Sequence, residues 1–109
     1  MIVDSSSLII FGKLNKINLL LKLFKEIEIP EAVYQEAIQE GLENKLEDAL
    51  ILKNYLDVGK IKIVKLESKY LDLSNKIQNL NNIGLGESQA IALAKQLNMK
   101  ELIIDEALE

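Results

Sequence analysis

A chain of 109 residues is enough for one compact domain and too short for two. With 49% hydrophobic residues, no tryptophan, three tyrosines and two phenylalanines, its core must be mostly Leu, Ile, Val and Ala. The formal net charge is -4 and all thirteen basic residues are lysines, unlike a module that holds nucleic acid by bulk charge or by bidentate guanidinium forks. Cysteine and histidine are both absent, which removes disulfides, thiolate nucleophiles, zinc fingers and histidine general bases. Any catalysis then rests on carboxylates, hydroxyls, lysines or a hard metal ion. The Met-Ile-Val-Asp start lacks the basic-then-apolar pattern of a secretory signal, and no run of about 18 apolar residues offers a membrane span, so a cytoplasmic location is expected.

In chain order, Ile2-Val3 predicts a short buried strand. The serines at 5 to 7 offer a cap or polar turn, and Leu8 to Phe11 a short helix. Leu14 to Phe24 predicts a helix, and Ile27-Glu28-Ile29 a strand closed by Pro30. Proline suits a first helical turn, so Glu31 to Glu40 predicts a helix with Gly41 as its stop. Leu46 to Leu56 predicts another helix. Ile61, Ile63 and Leu66 give a strand pattern, Tyr70 to Leu80 a helix, Asn79 to Gly84 a loop, Gly86 to Leu97 a helix and Leu102 to Asp105 a strand. Strands alternating with helices favour a parallel sheet covered by helices, with ligands beyond the carboxyl ends of the strands.

Asp4 and Asp105 each close an apolar run and so fall at such ends. Asp4 before serines also reads as a helix or turn cap, and Asp105 has the same ambiguity, with Glu106 beside it as a further ligand candidate. At about 100° per residue, Glu87 falls inside the stripe formed by Ala90, Ile91, Ala94 and Leu97. An acid in a first turn also complements the helix dipole. Glu36 and Glu40 lie comparably near the Val33, Ala37, Ile38 face, and periodicity does not choose between them. Glu43, Glu47, Asp48 and Asp57 read as solvated faces. Gly84 and Gly86 around Leu85 fit neither the Walker nor the dinucleotide fingerprint and read as a tight turn bringing backbone close to a site. Lys13 and Lys16 are candidates for contact with a phosphate backbone.

Four segments together resemble a PIN domain, the fold of many metal-dependent ribonucleases. They are Ile2-Val3-Asp4-Ser5-Ser6, Ile29-Pro30-Glu31-Ala32-Val33-Tyr34-Gln35-Glu36, Gly84-Leu85-Gly86-Glu87-Ser88-Gln89-Ala90-Ile91-Ala92-Leu93-Ala94 and Leu102-Ile103-Ile104-Asp105. Their order and approximate spacing match throughout the chain, most closely in the branch related to VapC-like toxins. The resemblance implies a single PIN-like domain over residues 1–109, a three-layer α/β fold with a central parallel sheet flanked by helices. It assigns Asp4, Glu36, Glu87 and Asp105 as catalytic and metal-binding acids, choosing Glu36 over Glu40, and gives Ser6 a supporting hydrogen bond. It implies Mg²⁺ or Mn²⁺, hydrolysis of RNA phosphodiesters, and a small antitoxin that pushes an arginine or lysine into the acidic site.

PIN domains usually continue past the fourth acid through a helix and a further strand, whereas this chain stops at Glu109. The expected fold therefore lacks the last strand and helix, and the exposed sheet edge is expected to be covered by homo-oligomerisation unless the chain is part of a longer protein. A catalytically impaired PIN-like module that binds a protein or RNA partner is the alternative function. A phosphoryl-accepting receiver or an Asp-x-Asp phosphatase fits worse, because serines follow Asp4 and Ser6 stands where the second acid belongs.

Overall fold

A computed structural model describes residues 1–104, so Asp105 and Glu106 lie outside the described residues. Four strands, β1 (Ile2–Val3), β2 (Ile27–Ile29), β3 (Ile61–Ile63) and β4 (Leu102–Ile103), form one parallel sheet in the order β3-β2-β1-β4. Ile2 pairs with both Glu28 and Leu102, and Val3 with Ile103, so β1 is central. Being covered on both faces, β1 is apolar throughout, and Ile2 and Val3 are fully buried.

The connections fix where the helices lie. From β1 through β2 to β3 the chain passes α1 (Ser5–Lys13), α2 (Ile17–Phe24), then α3 (Glu31–Tyr34), a π-helical turn (Gln35–Gln39), α4 (Glu40–Glu43) and α5 (Glu47–Asp57). Their apolar side chains, among them Leu8, Leu20, Val33, Ile38 and Leu52, share one core with Val3, Ile27, Ile29 and Ile61. After β3 the chain crosses to the other face. Leu66, expected to prolong the strand, is instead buried with Ile2, Ala90 and Leu93 under α6 (Ser68–Asn81) and α7 (Leu85–Gln96). Right-handed crossovers demand this switch: strands added in one direction from β1 carry their helices on one face, and β4 on β1's other side carries its helices on the opposite face. The reversal falls between β1 and β4, where a parallel sheet opens a crevice at its carboxyl ends.

Several boundaries differ from the expected ones for local reasons. The helix after Leu14 starts at Ile17, because Asn15 is left-handed (φ 54) and breaks the pattern. Helix continues through Gly41 to Glu43 and stops at the left-handed Lys45 (φ 59). Gly41 is therefore not a stop; a Cβ there would lie 2.5 Å from Ala49 Cβ, so glycine lets α4 approach α5. Asp48, expected on a solvated face, is buried in the first turn of α5, where its charge complements the helix dipole. Among the described residues no helix is long and apolar enough to cross a membrane.

Lys25 ends α2 at φ 66, ψ -46 and is exposed. A Cβ is disfavoured there, and glycine removes the penalty. Lys25→Gly is expected to raise stability by about 1 kcal/mol, read as a higher denaturation midpoint with unchanged m-value.

Candidate active site

Asp4 leaves the end of β1 as the N-cap of α1, and its Oδ1 accepts a hydrogen bond from the Ser7 backbone N–H at 3.0 Å. It is 4% exposed, so this carboxylate is buried at the carboxyl end of β1. The sequence offered a cap and a site acid as competing readings. Geometrically they are compatible, since a cap fixes the backbone while the side chain stays at the strand end.

Glu36 comes from the π-helical turn, on the second turn of the helix that Pro30 opens. A π turn rotates the residues after it relative to a regular helix and recurs at functional positions. Ser5 Oγ donates to Glu36 Oε1 at 2.5 Å, tying the carboxylate to the residue next to Asp4. The resemblance pointed to Ser6; the hydroxyl bonded to Glu36 is Ser5's, the first residue of α1. A rotation of about 100° separates consecutive helical residues, so only one of the two serines takes this direction. No rule on the residue types distinguishes them.

Glu87 lies in the first turn of α7, half-buried. Its neighbour Gly86 packs directly on the pair from the other elements: a Cβ at Gly86 would collide with Glu36 Oε1 and Ser5 Oγ. The glycine is thus a place of close approach, as the sequence indicated, and what approaches is the Glu36 carboxylate. Of the expected stripe Ala90, Ile91, Ala94 and Leu97, the two alanines are buried and Ile91 and Leu97 are half-buried. Ser88, Ala92 and Leu93 are buried beside them, because α7 packs against β1, β4, α3 and α6.

Two side chains of the same motif that the sequence left without a role hold this arrangement. Gln89 Oε1 accepts from the Ala32 N–H at 3.1 Å, satisfying an unpaired donor in the first turn of α3 and fixing α3 to α7. Ser88 Oγ lies 3.1 Å from Ser74 Oγ in a buried contact between α7 and α6, and donates to Leu85 O at 2.9 Å. Both follow Glu87 directly; polar residues on an otherwise alanine-rich helix were the signal available.

Beside Glu36 lies a cavity of about 220 Å³. It is lined by Glu36, Glu40 and Asp48, with Lys13 the one cation in its wall. Glu40, the acid that periodicity did not separate from Glu36, therefore faces the same space without taking the Ser5 bond. The site supplies oxygen donors only, which suits a hard divalent cation that keeps some of its waters. Among the described residues no group of three acids is drawn close enough to hold a metal ion unaided. Asp105, the fourth acid of the sequence reading, lies outside the described residues.

A parallel α/β sheet whose connections reverse beside its central strand belongs to the class of open α/β folds that take ligands in the crevice at the carboxyl ends of their strands. A family model for the PIN domain matches residues 1–109, and the chain belongs to the PIN-domain family. PIN domains are generally nucleases, which gives the coarse activity class. Among solved structures, a toxin–antitoxin complex from Klebsiella pneumoniae is similar over 94% of this chain and 83% of that one, with a TM-score of 0.66 and 13% identity, a likeness of fold. Among curated proteins no match is found.

Proposed function

We propose that this chain is a metal-dependent ribonuclease that hydrolyses RNA phosphodiester bonds and acts as the toxin of a toxin–antitoxin pair. The observation that carries the reading is the contact of Glu36 with both Ser5 and Gly86, the chain neighbours of Asp4 and Glu87. That contact ties together the segments that carry Asp4, Glu36 and Glu87, and it supports a reading in which these acids serve one crevice at the carboxyl end of the sheet. Asp4, Glu36, Glu87 and Asp105 would hold Mg²⁺ or Mn²⁺, with Glu106 as a further oxygen donor and Ser6 beside the site. When bound, the ion supplies an activated water and neutralises charge on the phosphate. Asp4 offers a fixed carboxylate because its cap bond restrains it, and Ser5 orients Glu36. The acid-lined cavity of Glu36, Glu40 and Asp48 suits a cationic side chain of a small antitoxin, and the fold shared with a chain of a toxin–antitoxin complex supports that partner. Leu14 and Leu23, 61% and 74% exposed on the α1–α2 side, favour a homo-oligomer, to be read by sedimentation equilibrium.

The test is cleavage of mixed single-stranded and structured RNAs in Mn²⁺, Mg²⁺ or EDTA, together with Mn²⁺ calorimetry. Glu87→Gln is expected to weaken Mn²⁺ binding by about tenfold or more, by analogy with loss of an outer-shell partner, while the exposed Glu43→Gln changes nothing. The alternative is a catalytically impaired PIN-like module that binds a protein or RNA partner. Equal Mn²⁺ affinity in Glu87→Gln, with no cleavage by folded wild type, would establish that alternative.

A further inference from the structure

On the face of the sheet that carries α6 and α7, a second cavity of about 340 Å³ lies against these two helices. Its walls are Lys69, Tyr70, Leu73, Lys76 and Lys95, with Asp72 the one acid. In a protein of net charge -4 this is a local reversal of sign. None of the three lysines joins an ion pair among the described residues, where the pairs are Met1–Glu28, Lys53–Asp57 and Lys62–Glu26. Tyr70 and Leu73 are half-buried against the core under α7, so the floor is anchored rather than loose. The buried Ser74–Ser88 contact clamps the same two helices. Lys69 Nζ stands 5.5 Å from the Tyr70 ring centroid, placing a cation beside an aromatic surface.

An apolar, aromatic floor inside a cationic rim is the complement of a nucleobase flanked by phosphates. Single-stranded nucleic acid is held in this way, by stacking on aromatic rings and charge contacts to the backbone. The volume is at the low end for a ligand pocket and suits one nucleotide better than a protein segment. Lys95 follows Glu87 by eight residues on one helix, about 12 Å along its axis, so RNA seated at the acids reaches the pocket within a few nucleotides.

We propose that the α6–α7 pocket is a subsite for a nucleotide of single-stranded RNA outside the cleaved bond, with the base on Tyr70 and Leu73 and phosphates on Lys69, Lys76 and Lys95. The inference rests on the ribonuclease reading for its choice of nucleic acid, yet its test does not depend on cleavage. Binding of a fluorescein-labelled single-stranded RNA decamer is followed in EDTA by anisotropy across a salt series. The triple variant Lys69→Gln, Lys76→Gln, Lys95→Gln is compared with Lys22→Gln, Lys45→Gln, Lys60→Gln, which loses the same charge at exposed positions elsewhere. The pocket variant should bind about tenfold more weakly or worse, and its salt slope should fall by about 2, some 0.7 per lost phosphate contact. The control should keep most of the affinity and slope. Equal losses in both variants, or inorganic polyphosphate competing as well as RNA, would overturn the subsite. Lysine-dependent binding in a protein that cleaves no RNA would keep the subsite and overturn the nuclease reading instead.

Discussion

Asp4→Asn should leave the protein folded and reduce metal-dependent RNA cleavage by about a hundredfold or more, beyond the loss usual for outer-shell partners of a metal. The two consequences separate because Asp4 has two roles. As N-cap it accepts the Ser7 N–H at 3.0 Å, and asparagine is as good a cap acceptor as aspartate. As a site acid it offers negative charge to a cation and phosphate, which asparagine lacks. Thermal or urea unfolding of Asp4→Asn should therefore fall close to wild type while cleavage collapses. Asp4→Ala removes both roles and should lose about 1 kcal/mol of stability as well. If Asp4→Asn retained cleavage, the buried aspartate would be a cap alone and the proposed acid set would be wrong.

Gly86→Ala is expected to damage the site more than the fold. The added methyl would occupy the position of Glu36 Oε1 and Ser5 Oγ. Glu36 reaches this point with the far end of a flexible side chain, so the carboxylate can swing away, losing the Ser5 hydrogen bond at a cost of about 1 kcal/mol. Restoring the same position would require backbone shifts, and overpacking of that kind costs about 1–3 kcal/mol. Either way the carboxylate leaves its place beside Ser5 and Gly86, and Mn²⁺ affinity should drop about 10–100-fold. Gly84→Ala is the matched control: nothing lies within 4 Å of a Cβ there, and φ is -69. It should be neutral in both stability and Mn²⁺ affinity. Two glycines in one motif thus have different physical grounds, and calorimetry on the pair discriminates them. Equal behaviour of the two variants would remove the argument that Gly86 is small to admit Glu36.

Much of the architecture was legible because it depends on local pattern. The apolar pairs Ile2-Val3 and Leu102-Ile103 and the alternating Ile27-Glu28-Ile29 became strands, and the alternation with helices gave a parallel sheet. Pro30 opened a helix as its fixed φ predicts. What escaped were features whose cause lies in another element. Gly41 looked like a helix stop, but the helix passes through it to meet Ala49. Leu66 continued the apolar residues after Ile61 and Ile63, but the reversal of connection across β1 sends it to the opposite face. Asp48 resembled its exposed acidic neighbours, but the folded chain buries it.

The site divides in the same way. The sequence by itself determined the residue types available for chemistry: no histidine, cysteine or arginine, and acids at the ends of apolar runs. It also placed Glu87 beside a glycine that invites close approach. It left Glu36 and Glu40 equivalent on one helical face, and it did not distinguish Ser5 from Ser6. Only the tertiary structure shows which serine meets Glu36, because that depends on the direction of a side chain toward a partner more than thirty residues away. The π-helical turn sets the heading of Glu36, Ser5 meets it from α1, and Gly86 leaves it room. Helical periodicity is a local quantity that locates a face to within a residue or so. Hydrogen bonds select within that face, because their reach is a few ångströms and they require both partners in place.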